Sequence, residues 1–191
     1  MALLIAGLVL FLGAHSVQIF AGSWRAAMIA RLGEGPWKWL YTLAALAGFG
    51  LIIYGYGQAR GQAPLYDLPH GLVHLTFALV WIAFICLVAA YWPRNHIKQA
   101  LRDPMVAGVG LWALGHLLAN ATPGALALFG SFLIWAVADF ISLRARGASA
   151  APASPKIANT VLVVLAGTVL SGVFAMVLHV WLIGISPLGQ G

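Results

Sequence analysis

GLWALGHLLANATPGALALFGSFLIWAV, residues 110–137, sets His116 and Asn120 inside an apolar run and then breaks it with Thr122-Pro123-Gly124. Two apolar stretches joined by so short a turn leave almost no loop, so they read as a tight antiparallel helical pair. Runs of this kind recur along the chain at about the 20 residues a helix needs to cross hydrocarbon. The predicted spans are about 2–21, 38–56, 71–92, 105–121, 124–143 and 157–185. Breakers separate them at Gly33-Glu34-Gly35-Pro36, Pro64 to Pro69, Pro93, Pro104, and the Ala/Ser/Pro-rich linker Gly147 to Pro155. That linker is expected to carry no chemistry.

Composition agrees. Of 191 residues, 62% are hydrophobic and 7% charged, where a soluble domain would be about a quarter charged. The expected fold is all-α: one polytopic membrane domain, residues 1–191, built as a bundle of six transmembrane helices. Residues 2–21 lack a basic leader and are too long for a usual signal core, so they read as a retained first span. The net charge of +6 is dispersed between apolar spans, which excludes a nucleic-acid surface. A lone cysteine, Cys86, excludes an intramolecular disulfide and a CxxCH haem attachment, and it reads as a buried apolar residue.

Charge fixes the expected orientation. Arg25, Arg31, Lys38, Arg94, Lys98, Arg102, Arg144, Arg146 and Lys156 fall in three loops on one side, and only Arg60 falls on the other. The positive-inside rule makes those three loops cytoplasmic and both termini non-cytoplasmic. Trp24, Met28 and Leu32 recur at helical spacing in the first of them, an interfacial helix. Asn95 is positioned to cap a short turn through Ile97 and Leu101 that Pro104 stops. Asp139 stands one turn before Arg144 and Arg146, which predicts an ion pair at that interface. Trp37, Trp39, Tyr41, Tyr91, Trp92 and Trp181 read as interfacial anchors.

Histidine carries the remaining information, because polar groups inside a bilayer tend to be paired and functional. Counted at about 1.5 Å per residue from the basic ends of the spans, His15 lies roughly 10 Å deep and His116 roughly 16 Å. His74 and His179 come out at roughly 27 Å and 33 Å, near the other rim, with His70 beside them. His96 reads as a solvated loop residue. Two histidines on different helices at similar depth suit the axial positions of a haem b, whose porphyrin needs a flat apolar slot. Span one offers Phe11 and His15 on one face, with Gly7 near them and Gln18 in support. Span four offers Gly108, Trp112, His116 and Asn120 at four-residue spacing. Arg25, Arg31 or Arg102 would meet the haem carboxylates. An interhelical hydrogen bond explains a lone intramembrane histidine equally well. A metal at His74 and His179 is the alternative site.

The segments GLVLFLGAHSVQI (7–19), WRAAMIARLGEGPWKWLYTL (24–43), PRNHIKQALRDPMVAGVGLWALGHLLAN (93–120), LFGSFLIWAV (128–137) and HVWLIGISP (179–187) resemble the bacterial NnrU membrane proteins. That resemblance implies a bacterial inner (cytoplasmic) membrane protein associated with nitric-oxide and nitrite metabolism in denitrifiers. The family is in turn similar to the plant and cyanobacterial zeta-carotene isomerase, a haem b membrane enzyme that turns a central cis double bond to trans. Histidines ligate its haem, in segments that match His15-Ser16 and Gly115-His116-Leu117 here, so the resemblance selects the pair that depth selects. It departs at Ala113, where the isomerase has a cysteine, and at Asp103, where NnrU proteins usually have a histidine.

Three functions follow as expectations. The first is redox-linked haem chemistry on a lipophilic substrate, with cis–trans isomerisation of a carotenoid-like polyene the concrete case. The second is an electron-transfer or nitric-oxide-responsive b-type cytochrome linked to denitrification, with quinone as partner. The third is a haem-free membrane accessory protein. Membrane lipid and a lipophilic small molecule or quinone are the expected partners, and nucleic acid is not.

Overall fold

The computed structural model describes residues 1–69, 71–147 and 154–187. His70 and most of the Gly147–Pro155 linker fall outside the described residues. Those described form helices joined by short turns, with no strand among them. In chain order these are α1 Ala2–Phe20, α2 Gly22–Leu32, α3 Glu34–Ala59, α4 Leu72–Tyr91, α5 His96–Leu101, α6 Pro104–Leu117, α7 Pro123–Ala145 and α8 Ile157–Val173. A π-helical turn, Phe174–Leu178, carries α8 into α9, His179–Ile183.

Five of these helical stretches are long and apolar enough to cross a membrane: Ala2–Phe20, Glu34–Ala59, Leu72–Tyr91, Pro123–Ala145 and Ile157–Ile183. The predicted fourth span, 105–121, is represented by a shorter apolar helix of 14 residues, Pro104–Leu117. It rises only about 21 Å. The helix stops early because Leu118 and Ala119 turn back on the carbonyls of Gly115 and His116. It still joins the two ends of the bundle. At its start, Arg144 reaches Leu101 O, and the Lys156 amide donates to Arg94 O. Beyond its end, Ala121 O accepts from the Leu65 amide.

Local sequence explains the boundaries. Thr122 caps α7 by accepting from the Ala125 amide, with Pro123 preset for the first turn, which yields the tight α6–α7 hairpin. Asn95 caps α5 as expected, accepting from the Lys98 amide. It does more than that. Fully buried, it also donates to Ala89 O and Trp92 O, which locks the end of α4. His96 is exposed, as a solvated residue should be, but it opens α5 instead of lying in a loop, and its amide and ring both meet Thr160 Oγ1 on α8.

Packing runs through small residues, since lipid offers no hydrophobic drive between apolar helices and close approach must supply the contact energy. Along the α1–α3 seam, a Cβ on Gly7 would come within 2.6 Å of Ile52 N, and one on Gly48 within 2.7 Å of Phe11 N. Gly7 thus faces α3, the helix that also meets Phe11 through Gly48 and His15 through Tyr41. α7 packs against α1, α3 and α6, while α6 also packs on α4, and α4 on α8. Cys86 is buried against Gly108 in the α4–α6 seam.

Candidate functional site

His15 and His116 are half-buried on α1 and α6, two helices that flank α7. His15 Nδ1 lies 2.7 Å from Phe11 O, and His116 Nδ1 lies 2.8 Å from Trp112 O. A carbonyl oxygen only accepts, so in the neutral rings each Nδ1 carries the proton and each Nε2 presents a lone pair. The two histidines are thus prepared in the same tautomer by the same four-residue backbone contact.

Aromatic rings connect them. His15 stacks on Phe11 at 4.2 Å, and Phe11 leans on Phe132 at 5.8 Å. From the other side, His116 stacks on Phe129 at 4.6 Å and touches Trp112 at 5.2 Å, and Trp112 meets Phe132 at 5.6 Å. Trp135 closes the His15 end at 6.0 Å, and Tyr41 of α3 stands edge-on at 5.2 Å. The α7 residues Phe129, Phe132 and Trp135 therefore line one side of an aromatic lane whose rings are mostly tilted or edge-on to one another. His116 sits near its Phe129 end and His15 near its Trp135 end, about 9 Å apart along α7. Phe11, Phe132 and Trp112 occupy the interval. Sequence reading missed Phe129, Phe132 and Trp135, although their recurrence every three residues on one helix was a signal available for them.

The supporting residues divide. Asn120 lies beyond the end of α6, and its Nδ2 donates to His116 O at 2.9 Å, so it ties the backbone of His116 and not its ring. Gln18 and Arg25 line a cleft of about 540 Å³ together with His15, Lys38 and Tyr41. Gln18 Oε1 and Trp135 Nε1 are buried side-chain atoms without a hydrogen-bond partner among the described residues, and both residues neighbour His15. Asp139 pairs with Arg146 at 3.7 Å as expected, while Arg144 lies over the Phe140 ring at 4.6 Å. Tyr41 and Trp37 serve this cleft instead of standing as free interfacial anchors, whereas Trp39, Tyr91 and Trp181 are exposed.

The alternative set is His74 and His179. His74 is exposed and makes no hydrogen bond among the described residues, and His179 Nδ1 is tied to Ile185 O at 2.7 Å. No group of three or more His, Cys, Asp or Glu that could hold a metal ion occurs among the described residues. A bis-histidine site needs no such group, because a porphyrin brings its own four nitrogens.

No curated protein sequence and no solved structure gives a significant match to this chain. The family described as NnrU protein does match, over residues 3–187, nearly the whole chain. With that extent of match, the chain belongs to the NnrU family.

Proposed function

We propose that the chain is a membrane-embedded haem b protein, with His15 and His116 the residues that would hold the haem, and that it carries out redox-linked chemistry on a lipophilic substrate. The observation that supports this reading best is the matched preparation of the two imidazoles. Each has its Nδ1 proton held by the carbonyl four residues back and its Nε2 lone pair available. That is the donor chemistry an iron takes from histidine, with the second nitrogen orienting the ring. The lining supports it too, because Phe11, Trp112, Phe129, Phe132 and Trp135 surround the histidines with the aromatic, apolar surface a porphyrin needs.

Haem, when bound, would supply redox-active iron chemistry to a conjugated lipophilic substrate such as a carotenoid-like polyene. The chain's own residues do the rest. Phe11 O and Trp112 O hold the two rings against rotation, and Asn120 steadies the turn that carries His116. The aromatic lane excludes water, which strengthens every electrostatic interaction inside it. In this reading α6 completes a sixth crossing and the basic end faces the cytoplasm of a bacterial inner membrane.

An absorption spectrum of the purified protein, oxidised and then dithionite-reduced, tests this. A Soret band that is lost in His15→Ala and also in His116→Ala is the expected result. Folded protein from haem-replete cells with no Soret band would refute the proposal.

A second reading, an electron-transfer or nitric-oxide-binding cytochrome, is favoured by one position. Ala113 is fully buried, and Cys86 faces Gly108 in a different seam, so neither supplies the isomerase-like thiol. Incubating reduced protein with a cis-polyene separates the two, since only an isomerase changes the geometry of the product.

A further inference from the structure

The cleft beside His15 is lined by residues of α1, α2 and α3 alone, and none comes from α6 or α7. It therefore lies off the aromatic lane. Its lining mixes apolar side chains with polar ones, and among the latter Gln18, Arg25, Glu34, Lys38 and Tyr41 converge with His15. Glu34 and Lys38 pair with each other at 3.0 Å and are largely exposed. The Arg25 side chain has no ion pair and no hydrogen bond among the described residues, although it sits half-buried in the wall. Gln18 Oε1, in the same wall, is shut off from solvent with no donor among the described residues. The cleft thus offers one uncommitted cation and one uncommitted acceptor.

Its setting narrows the occupant. α2 runs along the basic end with Trp24 and Leu32 exposed, an arrangement suited to the headgroup layer of a membrane. Basic pockets between helices at that level recognise phospholipid head groups. A guanidinium matches a phosphate through paired N–H donors. Gln18 Oε1 asks in addition for an N–H or O–H donor, which an ionised haem carboxylate lacks.

We propose that this α1–α2–α3 cleft binds the head group of a membrane phospholipid, its phosphodiester on Arg25 and a hydroxyl or ammonium donor on Gln18 Oε1. The bound lipid fixes α2 against the bundle next to His15. This proposal does not depend on haem binding.

Native mass spectrometry of the full chain in mild detergent, with phosphatidylglycerol, phosphatidylethanolamine or phosphatidylcholine added, provides the test. The expected result is one retained molecule of either donor-bearing lipid in preference to the choline lipid. Arg25→Gln should lower that retention about fivefold, the effect of one interfacial cation, while Arg25→Lys keeps it and so separates charge from folding. Gln18→Leu should erase the preference over phosphatidylcholine. Equal retention of phosphatidylcholine by the unaltered chain overturns the proposal, as does retention unmoved by Arg25→Gln. Displacement of the lipid by glycerol 3-phosphate alone would reassign the cleft to a soluble phosphoester. A loss of haem absorbance in Arg25→Gln with unchanged lipid retention would reassign Arg25 to the haem carboxylate. Either reassignment also overturns it.

Discussion

His15 and Phe11 are joined twice: their rings stack at 4.2 Å, and the His15 Nδ1 proton is held by the Phe11 carbonyl at 2.7 Å. One turn of α1 thereby fixes both the orientation and the tautomer of the imidazole. His116 has the same relation to the Trp112 carbonyl and rests on Phe129. The difference between the two lies in their neighbours, since His15 borders a polar cleft and His116 does not line it.

The histidines should separate cleanly by mutation. His15→Ala and His116→Ala are each expected to abolish the haem spectrum of the reduced protein. His74→Ala and His96→Ala should leave it intact, because His74 is exposed and His96 is engaged with Thr160. A spectrum surviving in His116→Ala would transfer the ligand role elsewhere.

Gly48→Val tests the α1–α3 seam. Its Cβ would meet the backbone of Phe11 at 2.7 Å, and a backbone cannot rotate aside. Overpacking of this kind costs about 1–3 kcal/mol or more, so thermal unfolding in detergent should move down sharply. Gly50→Ala, where nothing lies within 4 Å, should not lower it.

Asn95 offers a graded test. Asn95→Ala removes the α5 cap and strands buried carbonyls at Ala89 and Trp92, a loss of about 2–3 kcal/mol. Asn95→Asp retains the acceptor for the Lys98 amide but loses both donors, so it should be no more stable than the wild type. Denaturant unfolding followed by circular dichroism measures both, and an unchanged Asn95→Ala midpoint would contradict the assignment.

Thr76 donates to Gly115 O at 2.9 Å, from α4 to the residue that precedes His116. Thr76→Val keeps the shape and removes the donor, and interhelical bonds of this sort average about 0.6 kcal/mol. A small drop in stability is expected, with Thr76→Ser close to neutral. If Thr76→Val were as stable as the parent, the bond would contribute nothing to the α4–α6 contact.

An exposed ion pair gives the control. Lys38→Ala breaks the contact with Glu34, whose side chain is 71% exposed, and should change stability by less than about 0.5 kcal/mol. A larger drop would show that this pair is more than a surface contact.

Much of the helical order was legible in the residues. The α7 start at Thr122-Pro123, the Asn95 cap, the surface helix α2 and the Asp139–Arg146 pair all rest on local chemistry. A cap needs only its own next turn, and an apolar run of sufficient length needs only its own composition. The length of α6 was not legible in this way. Its apolar pattern continues to Ala121, yet the backbone leaves the helix after Leu117.

The sequence by itself determined an all-helical chain with stretches apolar enough to cross a membrane, and it singled out His15 and His116 as the polar groups that need an account. Only the tertiary structure decided which way each helix faces. It turned Gly7 toward α3, set Phe129, Phe132 and Trp135 beneath the histidines, and drew Gln18 and Arg25 into one cleft with His15. The physical reason is the solvent. In water, a polar face and an apolar face mark a helix's outside and inside, whereas lipid is as apolar as a packed core and removes that mark. The orientation of these helices is then set by where glycine lets backbones meet and where aromatic rings find one another.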